Sequence, residues 1–254
     1  MLNMSPLAFA GIVFALLLAG IFAGPLLREA LPQAHLSKET VDVVRLGASL
    51  IVTIGGLLLG LLIASAKGSY DTESTQVKQI TADIILLDTL LSKYGPEALP
   101  IRNRMRSAIG PFVDRIWREQ NSETKAPFST VAPAEQVYLD IQALSPQNDL
   151  QRSLQARAAQ ISTGLAQTRL LLFVESGNNI PTPFLAILVF WLIVIFISFS
   201  LFSPLNPTGL VFLSLFAFSA ACALFLILEL NNPFGGLMQI SSDQIRNALA
   251  PLAP

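Results

Sequence analysis

The sequence is poor in the residues that build metal centres and disulfide frameworks. Its 254 residues include one cysteine and one histidine. The single Cys222 excludes an intrachain disulfide and a multi-cysteine metal site, and the lone His35 excludes a histidine cluster. A Gly-rich phosphate loop and a Ser-His-Asp arrangement are also missing. We therefore expect no metal and no other cofactor, and we predict that the chain is not an enzyme.

Charged residues are scarce as well. They make up 13% of the chain, against about 25% in ordinary soluble domains. The net charge of −1 gives no field that would attract nucleic acid, so no nucleic-acid partner is expected. The deficit is concentrated in three stretches without any charge, residues 1–27, 46–66 and 176–228. Such a distribution is typical of a protein that spans a lipid bilayer.

Four apolar segments are long enough to cross a bilayer. A spanning helix needs about 20 apolar residues, and residues 6–27, 46–66, 184–202 and 209–230 meet this requirement. The first segment has no basic residues before it and is too long for a signal peptide, so we interpret it as a retained transmembrane helix. The third and fourth are separated by a turn with two prolines, Pro204 and Pro207. The pattern predicts two membrane hairpins.

The residues between the hairpins follow a helical period without strand alternation. Apolar residues at alternating spacings of three and four form a seam: Val77, Ile80, Ile84, Leu87 and Leu91. Such a seam indicates a bundle helix. We predict that Gly95 ends this helix and that Gly110-Pro111 kinks or splits the next one. The C-terminal segment predicts a short amphipathic helix, which would lie either on the membrane surface or on the bundle.

The predicted fold is all-α, with four transmembrane helices arranged as two hairpins that flank a cytoplasmic helical-bundle insert. The expected divisions are residues 1–67 for the first hairpin, 68–180 for the soluble insert, 181–231 for the second hairpin, and 232–254 for the amphipathic tail.

Small and hydroxyl residues form one face of the second span. This small-residue face contains Ser49, Thr53, Gly56, Gly60 and Ala64. It either packs against another helix, as small residues usually do in membranes, or lines a polar path. In an oligomer, different parts of it could do both. On the first span, Gly20 and Gly24 are four residues apart and predict close approach of another helix.

Charged residues near the spans give three further candidates. We predict that Lys67 and Glu229, at the ends of the second and fourth spans, form an interfacial ion pair. His35 is interpreted as an exposed loop residue, or alternatively as a pH-sensitive gate residue.

Three arginines cluster at the start of the helix after Gly95. Arg102, Arg104 and Arg106 are a candidate anion or lipid-headgroup contact, against the alternative of a solvated face paired with nearby acids. Five aspartates of the insert are predicted to lie on solvated helix surfaces: Asp71, Asp83, Asp88, Asp114 and Asp140.

Four segments together resemble one family. They are LGLLIASAKGSYD before the seam helix, RSAIGPFVDRIW, LLLFVESGNNIPTPF before the second hairpin, and LILELNNPFGGLMQIS near the end. In this combination the chain resembles, over residues 46–249, the bestrophin-like family of bacterial integral membrane proteins, long listed as a domain of unknown function. The resemblance implies two membrane hairpins flanking a cytoplasmic helical region, and a homo-oligomer with a central pore.

The sequence departs from true bestrophins, which are pentameric ion channels, at two features. It lacks the dense acidic run of their calcium clasp, and residues 46–66 carry none of the aromatic residues of their pore neck. Calcium gating and anion selectivity are therefore not carried over. The first hypothesis is an oligomeric ion channel with the second span near its axis. The alternative is a membrane-anchored scaffold or signalling subunit that acts through the insert.

Basic residues near the span ends are almost evenly divided between the two sides, so they do not settle the orientation. The insert shows no sign of secreted chemistry, and the resemblance implies that it is cytoplasmic. We therefore expect a multi-pass protein of the inner (plasma) membrane with both termini and the insert in the cytoplasm. The expected partners are the lipid bilayer, further copies of the chain, and ions.

Overall fold

The described part of the chain contains helices and no strands, as the sequence predicts. The computed structural model describes residues 4–32, 37–119, 133–175, 180, 182–202 and 206–250. Within them lie α1 (Pro6–Ala30), α2 (Lys38–Tyr94), a 3₁₀ turn (Pro96–Ala98), α3 (Leu99–Glu119), α4 (Pro133–Gln142), α5 (Asp149–Glu175), α6 (Thr182–Phe202), α7 (Pro207–Leu230) and α8 (Ser242–Leu249). Four of these helices, α1, α2, α6 and α7, are long and apolar enough to span a membrane, which confirms the predicted fold class.

The second span and the first bundle helix are parts of one helix. Helix α2 runs for 57 residues, and no proline interrupts it, so every backbone N–H within it can donate along the helix. It ends where predicted, because Gly95 has a φ of 133° that other residues rarely adopt. The predicted split at Gly110-Pro111 does not occur, since α3 continues through Pro111.

The chain divides into two compact units. The first comprises Met1–Ser69 and Ile180–Asn231, and the second comprises Tyr70–Asn179 and Asn232–Pro254. The first unit contains α1, α6, α7 and the membrane part of α2. The second contains the remainder of α2 with α3, α4, α5 and α8. The finer division of the sequence into four segments stays a prediction.

In the first unit, α1 packs closely on α6 through the two predicted glycines. A Cβ atom added at Gly24 would lie 2.6 Å from the Cβ of Ser200, and one added at Gly20 would lie 3.3 Å from Ile197. The Ser200 hydroxyl donates a hydrogen bond to the Ile21 carbonyl of α1. Glycine at both positions therefore allows the two backbones to approach. The predicted close approach at Gly20 and Gly24 is confirmed, and its partner is α6.

The second unit has its own hydrophobic core. All five seam residues predicted on α2 are buried in it, together with Phe234, Ile240, Ile245 and Leu249 of the C-terminal segment. The Trp117 indole donates a hydrogen bond of 2.9 Å to the Ile240 carbonyl, and its ring packs edge-to-face on Phe234. The C-terminal segment was expected to lie either on the membrane surface or on the bundle, and the structure shows that it packs on the bundle.

Candidate functional site

The small-residue face of α2 is uncovered in the chain. All five of its residues are exposed, whereas Ala48, Gly55, Leu62 and Ala66 lie buried on the other side of the helix. Of the most apolar 18 residues of this span, 6% are buried, against 33%, 28% and 22% of the corresponding stretches of α1, α6 and α7. Helix α2 is therefore the span that the chain itself covers least.

The hydroxyl groups on this face donate to the helix backbone. Ser49 Oγ donates to the Arg45 carbonyl at 2.8 Å, and Thr53 Oγ1 donates to the Ser49 carbonyl at 3.0 Å. Because each hydroxyl hydrogen is used in a bond to the helix backbone, the lone pairs of the hydroxyl oxygen remain available to accept a hydrogen bond from a group that approaches the face. In this rotamer the two side chains offer hydrogen-bond acceptors to whatever lies against them.

The glycines of the face differ from Gly20 and Gly24 of α1. A Cβ atom added at Gly56 or Gly60 would meet nothing within 4 Å, whereas one added at Gly24 would overlap Ser200. Packing against the other residues that the structure describes therefore does not explain the glycines at positions 56 and 60. The two interpretations of the face, a packing seam against another helix or a polar path, both stay predictions.

The two residues of the predicted ion pair differ in their exposure to solvent. Glu229 is 3% exposed near the end of α7, and Lys67 is exposed on α2. Both residues belong to the first unit. A carboxylate this deeply buried needs compensation by a cation or by hydrogen bonds. The pairing of Lys67 with Glu229 stays a prediction.

The three clustered arginines contact aspartates. Arg102 donates to both carboxylate oxygens of Asp88, at 2.9 and 2.8 Å, and Arg106 donates to one of them at 3.3 Å. Arg104 pairs with Asp140 of α4. The geometry thus favours the alternative of pairing with nearby acids. The anion or headgroup contact stays a prediction.

Asp88 is not the solvated residue that the sequence analysis predicts. It is 4% exposed, because its position, four residues after Ile84 of the seam, turns it toward α3. Burial alone would raise the pKa of Asp88, but the hydrogen bonds from Arg102 and Arg106 outweigh burial and hold the pKa below its ordinary value. The spacing from Ile84 was the available signal for this buried carboxylate.

Two further expectations concern metals and His35. Among the described residues, no group of three or more His, Cys, Asp or Glu side chains is placed to hold a metal ion. His35 lies outside the described residues, so both interpretations of it stay predictions.

Comparison with known proteins identifies the family. No curated protein matches the chain. Two crystal structures of a bacterial bestrophin homologue from Klebsiella pneumoniae, each with one substitution, share the fold. One has a TM-score of 0.68 at 14% identity and covers 99% of both chains. The other has a TM-score of 0.61 at 13% identity and covers 95% of this chain and 97% of its own.

These likenesses agree with the four membrane spans described above and identify a membrane protein with the bestrophin fold. The sequence itself matches the Bestrophin-like domain over residues 14–245, which is most of the chain. By this match the protein belongs to the Bestrophin-like family.

Proposed function

We propose that the protein is one subunit of a homo-oligomeric ion channel in which the small-residue face of α2 lies near the central axis. The observation that carries this proposal is the exposure of that face in a helix long and apolar enough to span a bilayer. Small residues let neighbouring helices approach closely, and hydroxyl oxygens can substitute for part of the hydration shell of a passing ion.

The fold and the family support the same function. Bestrophins are channels, and the chain belongs to the Bestrophin-like family. Leucines on α2 next to the small-residue face, Leu57 and Leu61, are largely exposed. In a ring of copies such side chains are suited to form a hydrophobic constriction, which gates by excluding water.

The direct test is ion flux into liposomes that contain the purified protein. We expect Gly56→Leu to reduce or abolish the flux, because the added side chain fills space at the axis. Thr53→Val removes a hydroxyl at constant shape and is expected to lower the flux without closing the path. Ile54→Leu, at an exposed position of the same helix outside the small-residue face, is the matched control and should leave the flux unchanged.

Two results would contradict the channel. One is no flux above that of empty liposomes for any tested ion, pH or voltage. The other is equal flux in Gly56→Leu, Ile54→Leu and the unmodified protein, which would locate conduction away from α2. A monomer in nanodiscs would contradict the oligomer.

We further propose that the protein lies in the inner (plasma) membrane with the second unit and both termini in the cytoplasm. Arg152, which is exposed on α5, provides the test. In a Cys222→Ser background, Arg152→Cys should react with a membrane-impermeant maleimide only after spheroplasts are permeabilised. Reaction with intact spheroplasts would reverse the orientation.

A scaffold or signalling subunit is the second candidate. It is favoured by apolar side chains exposed on the second unit, Leu139 on α4 and Leu150 on α5, because uncovered apolar surface often marks a protein contact. Full-length protein in detergent should then bind a defined partner, and Leu150→Ser should weaken the binding while flux in liposomes stays absent.

A further inference from the structure

The arginine cluster of the second unit contains more positive than negative charge. Asp88 of α2 faces two guanidinium groups of α3, Arg102 and Arg106. Two arginines and one aspartate leave a surplus of one positive charge. Arg102 occupies both carboxylate oxygens of Asp88 with hydrogen bonds of 2.9 and 2.8 Å. These two bonds use about half of the lone pairs of the carboxylate, and Arg106 makes a longer third contact of 3.3 Å to the same group.

Arg106 uses few of its donors. A guanidinium group has five N–H donors, and the hydrogen bond of Arg106 is from Nη2 to Asp88 at 3.3 Å. Among the residues that the structure describes, its buried Nε has no hydrogen-bond partner, and its side chain is 20% exposed. A half-buried cation with an unsatisfied donor is costly unless an anion or acceptor compensates it.

We propose that Arg106, together with Arg102, binds a phosphate-class oxyanion at the partly exposed ends of the two guanidinium side chains. Arginine forks bind phosphate through paired, charge-assisted hydrogen bonds. Several phosphate oxygens can be shared between two guanidinium groups, as Asp88 is shared in the chain. The exposed fifth of the Arg106 side chain leaves a route for the anion, which neutralises the surplus charge. The site does not depend on ion conduction.

The first experiment titrates inorganic phosphate into the full-length protein in uncharged detergent, against chloride at equal ionic strength. Calorimetry or thermal stabilisation reports the binding. Arg106→Gln is expected to weaken phosphate binding about tenfold or more, as loss of a charged hydrogen bond implies. Arg152→Gln is the matched control, because Arg152 is 69% exposed and pairs with the neighbouring Asp149. Its affinity should be unchanged.

A second variant is expected to bind phosphate more tightly, the opposite of the effect expected for Arg106→Gln. Asp88→Asn removes the carboxylate that competes for both arginines, so phosphate should bind more tightly than to the unmodified protein. A purely structural role for the cluster would predict no such gain. This measurement decides the proposal even if Arg106→Gln fails to fold.

The oxyanion could come from a soluble phosphate compound or from a lipid headgroup. Sedimentation with vesicles of phosphatidylcholine, with and without phosphatidic acid, distinguishes the sources when free phosphate is added as competitor. Binding of phosphate alone indicates a soluble ligand, and preference for phosphatidic acid that depends on Arg106 indicates a headgroup. Absence of both, equal affinities of the unmodified protein and Arg106→Gln, or weaker binding by Asp88→Asn would overturn the proposal.

Discussion

At the scale of single residues, Gly24 is among the most tightly constrained positions of the first unit. Any side chain there overlaps Ser200, whose Cβ would be 2.6 Å from the added Cβ. We expect Gly24→Ala to lower the free energy of unfolding by about 1–3 kcal/mol, the usual cost of overpacking. Unfolding in mixed detergent micelles measures it. Gly11→Ala is the control, because its added Cβ meets nothing within 4 Å, and an equal loss in both variants would contradict the packing argument.

The Asp88 carboxylate gives the second unit a pH-dependent stability. Its pKa is lowered in the folded protein by Arg102 and Arg106, so the folded state favours the ionised form. The contribution is fully present above the ordinary carboxyl pKa of about 4 and is lost as the pH falls through the lower folded value. We expect Asp88→Asn to cost about 2 kcal/mol near pH 7, less than a fully buried pair because the guanidinium groups are partly exposed.

The measurement for Asp88 is thermal unfolding of the unmodified protein and Asp88→Asn between pH 7 and pH 3, at constant ionic strength. The difference in melting temperature should be constant down to about pH 5 and should shrink below it, as protonation removes the charge of Asp88. A difference that stays constant to pH 3 would show that the carboxylate charge contributes nothing.

Substitutions of Glu229 and Lys67 test whether the two residues form the predicted ion pair. If they contact each other, Glu229→Gln and Lys67→Met should give losses of stability that are not additive in the double variant. Lys67→Met should be the more costly single change, because it leaves the buried Glu229 carboxylate without its cation. Additive losses in unfolding measurements would contradict the pairing.

At the scale of elements, the sequence predicts helices well because apolar spacing and glycine positions are local signals, although Pro111 does not split α3 as predicted. The seam of α2, its end at Gly95 and the close contact of α1 at Gly24 all follow from such signals. The docking of the tail could not be derived, because it depends on a contact between Trp117 and Ile240, which are far apart in sequence. The burial of Asp88 was missed although its spacing of four residues from Ile84 indicated it, whereas its partners on α3 could not be derived.

The tail contact makes a prediction of its own. Trp117→Phe keeps an aromatic ring against Phe234 but removes the N–H donor to the Ile240 carbonyl. A hydrogen bond of this kind contributes about 1 kcal/mol, so limited proteolysis should cut the C-terminal segment several times faster. Trp191→Phe on α6 is the control, and equal cleavage of both variants would show that the indole does not hold the tail.

At the scale of the whole molecule, the small-residue face of α2 was predictable from sequence as a pattern, but a pattern does not distinguish a packing seam from a polar path. The structure adds that none of the residues it describes lies within 4 Å of a Cβ atom added at Gly56 or Gly60. An exposed apolar helix face on its own would simply face lipid. The glycines instead favour close approach of another protein surface.

Cross-linking between copies tests this last step. In a Cys222→Ser background, Gly56→Cys and Gly60→Cys place thiols on the small-residue face, while Gly11→Cys places one on α1, where an added Cβ also meets nothing within 4 Å. Near a symmetry axis, equivalent thiols from different copies come together, and disulfides form when their Cβ atoms approach about 4 Å. Oxidation and a short bis-maleimide should therefore yield covalent dimers from Gly56→Cys or Gly60→Cys but few from Gly11→Cys. Equal yields at all three positions would reflect random collision, and would place α2 away from the axis.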